Sequence, residues 1–554
     1  MKDRTDWRTL APRMTVINLA ALSAAMVLFI FLVQGNAGLN LQDEGFLWFG
    51  TIRTALGEVP IRDFQSYDPG RYYWGALWFK LLRSDGLMTL RISQAAFQFV
   101  GLTVAFLILK RVLRNWLALI AAGSLFLVWM FPPWKIYEPV ILIIGIFLAV
   151  RLIESPNKPR YFAAGVFVGL AAFFGRNHGV YCFLSFLLVI FFGWWERGRG
   201  PILRPLVWWG LGVFVGYLPM LLMLAFVPGL FSSFLENILF NIHHGTNLPL
   251  AVPWPWRITN DSHTFREWLN KFAIGITYLA FPVFFLATGV CLFLKRRIRA
   301  NAVLVASTFF GAVYLHYVFD RPHLYYLAWT IPPFIIGLLA LSNSFSSHQR
   351  RVSAIAVWSL LLLLSWTAAD MAPENYFLNR VKGAARAMLS RRAHLNVGFD
   401  MPPEHYDLIK TDIRGDQFWI TNDLAQVVEN VKAIDHDFIP ANENLLAAPY
   451  WTIFYPLLRK PSPTNEIYFL FPQPPDKQQR MIADLERNQV KWAFVCHYFL
   501  DNRPELAFEN THAQVWQYLS ANFEPVNTGG RLPSYCELLH KKTAAGSSQN
   551  TPRQ

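Results

Sequence analysis

The sequence predicts a mainly α protein: a polytopic transmembrane helix bundle of about eleven spans, followed by a C-terminal extracytoplasmic α/β domain. Three observations predict it. Apolar runs of roughly 20 residues, the length that crosses a bilayer core, recur through the first two thirds of the chain. Short Lys/Arg-rich loops alternate with longer, acidic ones. Charge density also changes near residue 370. Residues 1–369 carry 31 Lys+Arg and 15 Asp+Glu, or 12% charged, whereas residues 370–554 carry 19 and 21, or 22%. A cytosolic enzyme, a nucleic-acid binder and a disordered scaffold fit the first part poorly, because soluble domains are about 25% charged. The net charge of +14 arises in that apolar part, where it reflects loop orientation rather than affinity for nucleic acid.

The apolar segments centre in 14–33, 88–109, 115–132, 136–153, 160–175, 179–195, 205–227, 272–294, 300–319, 324–342 and 352–369. Lys2, Arg4, Arg8 and Arg13 precede the first. Its length, with no clean small-residue cleavage site after it, predicts an uncleaved anchor rather than a signal peptide. One alternate set of loops holds Lys110/Arg111/Arg114, Arg151/Lys158/Arg160, Arg197/Arg199/Arg204, Lys295/Arg296/Arg297/Arg299 and Arg350/Arg351. These are short and basic, so they are assigned to the cytoplasm. Eleven spans from a cytoplasmic N-terminus place residues 370–554 in the periplasm or cell exterior, in a protein of the inner (plasma) membrane.

Two outer loops are long, 34–87 and 228–271, and long loops in a compact protein tend to be functional. The domain plan is therefore 1–369 transmembrane, with interfacial helices in 34–87 and a second outer loop at 228–271, then 370–540 α/β, then a disordered 541–554. In the tail domain, β-rich runs at 444–448, 466–470 and 491–496 alternate with helical patterns near 423–434, 476–488 and 511–520. Such alternation predicts parallel βαβ units. No glycine-rich phosphate loop accompanies them, and the tail is expected to shape acceptor access rather than perform chemistry. Four cysteines (Cys182, Cys291, Cys496, Cys536) show no metal-ligand spacing. Cys496 and Cys536 are read as buried strand cysteines, the commoner fate, with a disulfide as the alternative.

The first outer loop carries the chemistry. Asp43, Glu44, Glu58, Asp63, Asp68 and Asp85 fall within 43 residues, interleaved with aromatics. Phe46, Leu47, Phe49, Ile52 and Leu56 follow the acidic pair at close to helical spacing, which predicts a helix lying in the membrane interface. A second follows Pro69–Gly70, carrying Tyr72, Tyr73, Trp74, Leu77, Trp78 and Leu81. The plain alternative for Asp43 is that it caps the first of these helices. Capping accounts for one acid there but not for a second beside it, and carboxylates at a membrane edge are costly and tend to be functional.

Asp43–Glu44 just after the first span, the interfacial helix, the RDF triplet, the PG-YYW run and the later DRPHLYYLA segment together resemble the polytopic glycosyltransferases of the GT-C superfamily. Within that superfamily the sequence looks like the protein O-mannosyltransferases and the lipid A aminoarabinose transferases, and the resemblance covers most of 14–370. It implies transfer of a sugar from a polyprenyl-phosphate donor to a glycan, lipid or protein acceptor on the outer face, usually with inversion. It implies Asp43 as the general base, with Glu44 orienting Asp43 or the acceptor, and cations holding the donor phosphate. In the aminoarabinose transferases a lysine near the start of the second interfacial helix meets that phosphate. Here the stretch is Tyr67–Asp68–Pro69–Gly70, so Arg71 takes the place by role rather than by residue match.

Four further sites stand out in the sequence. Arg176, in Arg176–Asn177–His178–Gly179, stands in a tight outer turn and is a candidate phosphate ligand. Asp320–Arg321–Pro322–His323 joins two spans and matches a family position, making Arg321 and His323 phosphate candidates. The alternative there is that Asp320 simply neutralises Arg321. His243–His244 lack the spacing that lets two ligands face one ion, so no metal is assigned there; no cofactor is expected, with a divalent metal as the alternative. Tyr137–Glu138 beside Lys135 is read as a local ion pair. Two other functions stay open: a polymerase or ligase of lipid-linked glycans, which would use basic residues such as Arg257 and Arg266 in the second loop, and a lipid-linked glycan flippase or transporter, which should show inverted repeats.

Overall fold

The structure is a computed structural model describing residues 15–198, 200–244, 248–258, 264–295, 302–342, 347–372 and 408–542. The first helices are Val16–Gln34 (α1), Asp43–Ala55 (α2), Pro69–Leu82 (α3), Leu87–Leu109 (α4), Trp116–Trp129 (α5), Tyr137–Glu154 (α6), Lys158–Phe174 (α7) and Arg176–Glu196 (α8). Leu203–Phe226 (α9), Leu230–His244 (α10), Phe265–Lys295 (α11), Ala302–Asp320 (α12), Leu324–Thr330 (α13), Pro332–Ser342 (α14) and Ser347–Met371 (α15) follow. The tail contributes strands Leu408–Ile413 (β1), Asp416–Thr421 (β2), Leu445–Ala448 (β3), Trp492–Cys496 (β4), Phe523–Val526 (β5) and Cys536–Lys541 (β6). Its helices are Asn422–Phe438 (α16), Phe454–Leu458 (α17), Pro475–Arg487 (α18), Phe508–Thr511 (α19) and Ala513–Asn522 (α20).

Each predicted apolar segment is helical. Among the described residues, seven helices are long and apolar enough to cross a membrane, or eight if the α13–α14 pair is counted as one span. The chain is thus a multi-pass membrane protein, with fewer full-length spans than eleven. The shortfall has local causes. The α5 helix is 14 residues long and α7 is 17, whereas α6 carries Glu138, Arg151 and Glu154. The α13–α14 pair bends by 50° at Ile331, just before Pro332 and Pro333, where proline removes helical hydrogen bonds. The charged start ahead of α1 and the terminal stretch from 543 onward lie outside the described residues.

The chain divides into two compact units. The helical unit comprises Met1–Ala37 and Met88–Phe399. In it α7 and α9 approach closely along Gly165/Gly169 and Gly212/Gly216: a Cβ at Gly165 would collide with the Trp209 carbonyl, and one at Gly216 with that of Val166. Small residues one turn apart let helix backbones pack this way in lipid, where dispersion rather than water drives association.

The second unit joins Gly38–Leu87 to Asp400–Gln554, so the first outer loop belongs with the tail and not with the helical domain as the sequence suggests. Its main sheet has the order β3-β4-β6-β5. The β3–β4 pair is parallel, as the βαβ pattern predicts, but β6 runs antiparallel to both β4 and β5. The 466–470 run is not a strand. The backbone N–H of Phe469 bonds to the Pro449 carbonyl, and those of Ile467 and Tyr468 go to a side chain described below. Leu446, Val495, Phe508, Val515, Leu519 and Leu539 form part of the buried core. Cys496 pairs in register with Cys536, and the two form a disulfide, correcting the expectation of two separate thiols. A separate hairpin pairs β1 with β2 through Arg414 (φ 55°) and Gly415 (φ 96°), both left-handed as a two-residue hairpin turn requires.

Candidate active site around Asp43

The α2 helix starts at Asp43, yet Asp43 does not cap it. Asn40 does: its Oδ1 accepts the backbone N–H groups of Gln42 at 3.2 Å, Asp43 at 2.7 Å and Glu44 at 3.4 Å. Glu44 reaches back, its Oε2 accepting the N–H of Asn40 at 3.2 Å, a reciprocal cap that satisfies donors at both ends of the turn. Glu44 is fully buried. One of its bonds is therefore structural and is made to Asn40, not to its neighbour Asp43.

Three other acids of the loop are also paired. Glu58 pairs with Arg53. Asp63 takes Arg62 and the Val59 N–H, and the Arg62 guanidinium keeps its carboxyl below the usual range. Asp85 pairs with Arg414 of the tail at 2.6 Å. Asp43 differs. It is half-buried, its Oδ1 accepts from the Tyr468 hydroxyl at 3.4 Å, and among the described residues its Oδ2 accepts no hydrogen bond.

The sequence reading of α2 as an interfacial helix needs correction. Its residues from Glu44 to Ile52 are all buried, because α3 and the segment 452–455 cover it. Thr452 donates to the Gln42 carbonyl at 3.1 Å, and Phe49 stacks on Tyr455 with centroids 5.0 Å apart. Gly45 lies so close to Ile453 that a Cβ would clash with its backbone, so glycine is needed there. The α3 helix does keep an exposed apolar stripe at Tyr73, Leu77 and Leu81, the face expected of an interfacial helix.

Arg71, in the first turn of α3, is buried and lies over the Tyr67 ring at 5.1 Å. Tyr67 in turn meets Phe46 edge-on at 5.0 Å, and Phe46 meets Tyr468 at 5.5 Å. Arg71 and Asp43 are thereby joined through one aromatic cluster. Burial pushes the Tyr468 hydroxyl well above its ordinary pKa, and the nearby Asp43 carboxylate adds to the rise. Tyr468 therefore stays a proton donor at neutral pH.

In the helical unit, Arg176 opens α8. Its Nη2 donates to Asn237 Oδ1 at 2.9 Å and its guanidinium lies over Phe234. Arg321 donates to the Leu248 carbonyl at 3.0 Å, which ties it to the second outer loop. His323 is the N-cap of α13: its Nδ1 accepts the Tyr325 N–H at 3.3 Å. That bond gives His323 a structural use independent of any phosphate. His243 Nδ1 lies 2.8 Å from the Leu239 carbonyl, while the side chain of His244 lies outside the described residues. Lys135 and Glu138 are both buried at the α5–α6 turn.

Asn40, Gln65 and Tyr468 were not legible as site residues in the sequence. Asn40 carries a local signal, an Asn before an acidic helix start. Gln65 and Tyr468 meet across 403 positions, and nothing local announces that.

No protein-family model and no curated protein matches the sequence. Solved structures do match. ArnT from Cupriavidus metallidurans bound to undecaprenyl phosphate matches with a TM-score of 0.53 at 12% identity, over 99% of this chain and 100% of that one. Its apo state gives 0.50 at 12% identity, over 94% and 98%. The oligosaccharyltransferase AglB from Archaeoglobus fulgidus, in complex with an inhibitory peptide and a dolichol-phosphate, gives 0.47 at 11%, over 98% and 75%. Over 99% of its length this chain shares the fold of ArnT, the GT-C fold that the sequence leads one to expect.

Proposed function

We propose that this protein transfers a sugar from a polyprenyl-phosphate-linked donor to an acceptor on the outer face of the membrane, with inversion at the anomeric carbon. One observation carries the assignment of the base: the Asp43 carboxylate is relieved of capping by Asn40 and keeps an oxygen open. The fold shared with a protein that binds undecaprenyl phosphate supports a lipid-linked donor, whose chain lies in the bilayer while its phosphate stays at the interface.

In this mechanism an acceptor hydroxyl attacks the anomeric carbon as the bond from that carbon to the phosphate oxygen breaks. The hydroxyl proton passes to Asp43, which makes a weak nucleophile competent. The electron pair leaves with polyprenyl phosphate, and guanidinium donors stabilise its growing charge. Within the unit of Asp43 that role falls to Arg71. In the helical unit Arg176, Arg321 and His323 are the candidates, each to be tested by itself. Glu44 acts by holding the helix start. The reading assigns no cofactor. The Lys/Arg loop asymmetry supports a cytoplasmic N-terminus and an extracytoplasmic tail in the inner (plasma) membrane.

The test begins with the lipid-linked sugar that accumulates when the gene is deleted. That lipid, purified and labelled, should be discharged by the purified protein to polyprenyl phosphate with the sugar on an acceptor. Failure to discharge it, or its movement across a vesicle intact, would favour the transporter alternative instead.

A further inference from the structure

We propose that Tyr468 of the tail domain is a positioning residue for Asp43, so that the catalytic centre is a composite of the first outer loop and the tail. The inference rests on the assignment of Asp43 as base and goes beyond it, because the sequence gives the tail no part in the chemistry. The hydroxyl of Tyr468 donates to Asp43 Oδ1, which turns the carboxylate so that Oδ2 is the oxygen left for an acceptor proton.

At Tyr468 the segment is clasped by the side chain of Gln65. Gln65 Oε1 accepts the N–H groups of Ile467 at 3.1 Å and Tyr468 at 2.8 Å, and its Nε2 donates to the Tyr468 carbonyl at 3.2 Å. Its own backbone N–H donates to the Asn465 carbonyl at 2.9 Å, and Asn465 Nδ2 donates to the Arg62 carbonyl at 3.1 Å. Gln65 thus takes up backbone groups that a neighbouring strand would otherwise pair, in a run that does not join the sheet. The ring of Tyr468 is wedged between Phe46 and Tyr450, with centroids at 5.5 and 5.3 Å. Backbone and ring are both fixed, so the hydroxyl has little freedom to leave Asp43. Preorganisation of this kind is what a general base needs from its surroundings.

Tyr468→Phe keeps both ring contacts and removes only the hydroxyl. Assayed on the full-length protein with the accumulated lipid-linked sugar, it should lower kcat about tenfold, the scale of one hydrogen bond to a charged group. The KM for that lipid should stay within about twofold, because an interaction made with the base and not with the donor leaves donor binding alone. Gln65→Ala, which frees the segment without touching the hydroxyl, should act in the same direction. The decisive arm is the double mutant. On an Asp43→Asn background, Tyr468→Phe should cost nothing further, since residues that act as a unit are non-additive. Wild-type kcat in a folded Tyr468→Phe, or an equal loss on both backgrounds, would overturn the proposal while leaving Asp43 as the base. Wild-type rates in Asp43→Asn would overturn both.

Discussion

Asn40 Oδ1 accepts the backbone N–H of Asp43 at 2.7 Å, so α2 is capped from three residues upstream and the Asp43 carboxylate is not spent on its own helix. The ordinary explanation for an aspartate at a helix start is thereby taken by another residue. What remains is a half-buried carboxylate fixed on one side by a tyrosine and open on the other.

Replacing Asp43 by Asn should therefore leave the fold intact and abolish transfer. A positioned general base contributes roughly 10²–10⁴-fold, so the loss should fall in that range while donor binding persists. Transfer rate and donor affinity measured on one preparation decide it. A variant that transfers normally would remove the base from this account.

Asn40→Ala should act on stability first. Three backbone donors lose their acceptor, and loss of a capping side chain costs about 1 kcal/mol. Hydrogen exchange at Gln42–Glu44 should speed up. Glu44→Gln keeps an oxygen able to accept the Asn40 N–H and should reduce transfer far less than Asp43→Asn. A Glu44→Gln loss equal to that of Asp43→Asn would make Glu44 a direct participant.

Arg321→Ala should weaken transfer by about 3 kcal/mol, or on the order of 100-fold, if its guanidinium faces the leaving phosphate in turnover. His323→Asn should be mild, because Asn can replace the capping acceptor. Unchanged turnover in Arg321→Ala would restrict that arginine to anchoring the second loop through Leu248.

Reducing the Cys496–Cys536 bond should destabilise the tail domain by about 2–5 kcal/mol, as for other native disulfides. Melting of the Cys496→Ser/Cys536→Ser variant tests this, and an unchanged midpoint would make the bond dispensable.

The stability of the tail should also depend on pH. His497 faces Glu509 through Nδ1 and Glu537 through Nε2. Burial opposes its protonation, but the two carboxylates outweigh it and hold its pKa above the ordinary value. A raised folded-state pKa gives stability that is fully present below about pH 6.5, the unfolded value. That stability is lost as pH rises through the folded value. The melting midpoint should therefore fall from about pH 6.5 upward, and His497→Gln should flatten the slope. A midpoint rising over that range would contradict the pairing.

Much of this architecture is written locally. Hydropathy alone finds α1, α4, α9 and α12, because a helix that crosses a bilayer must be apolar along its length. The 445–448 and 492–496 strands are legible for the same reason, being apolar runs buried on both faces. The EIYFL run looks alike but is not a strand: two of its N–H groups go to the Gln65 side chain, which composition cannot reveal. The FEPV strand has a proline and two exposed residues, so it carries no strand signal. The Arg414–Gly415 turn was present as a cue, with glycine between two alternating runs. Asp43 was visible because its neighbourhood is compact in sequence; Tyr468, 425 positions away, was not.

The union of residues 38–87 with the tail sets an order of assembly. The Gln65 side chain is synthesised 403 residues before the backbone it clasps. At roughly 5–20 residues per second, the first outer loop waits on the order of 20–80 s for its counterpart. Through that interval α2, which is buried almost throughout in the finished unit, has no tail to cover it. The helices that follow must be inserted while this apolar segment has only α3 against it. A nascent chain halted before residue 445 would hold Asp43 on a helix covered by α3 alone, without the Tyr468 hydroxyl beside its carboxylate. Truncated products of this protein should therefore be inert and prone to capture by quality-control proteases.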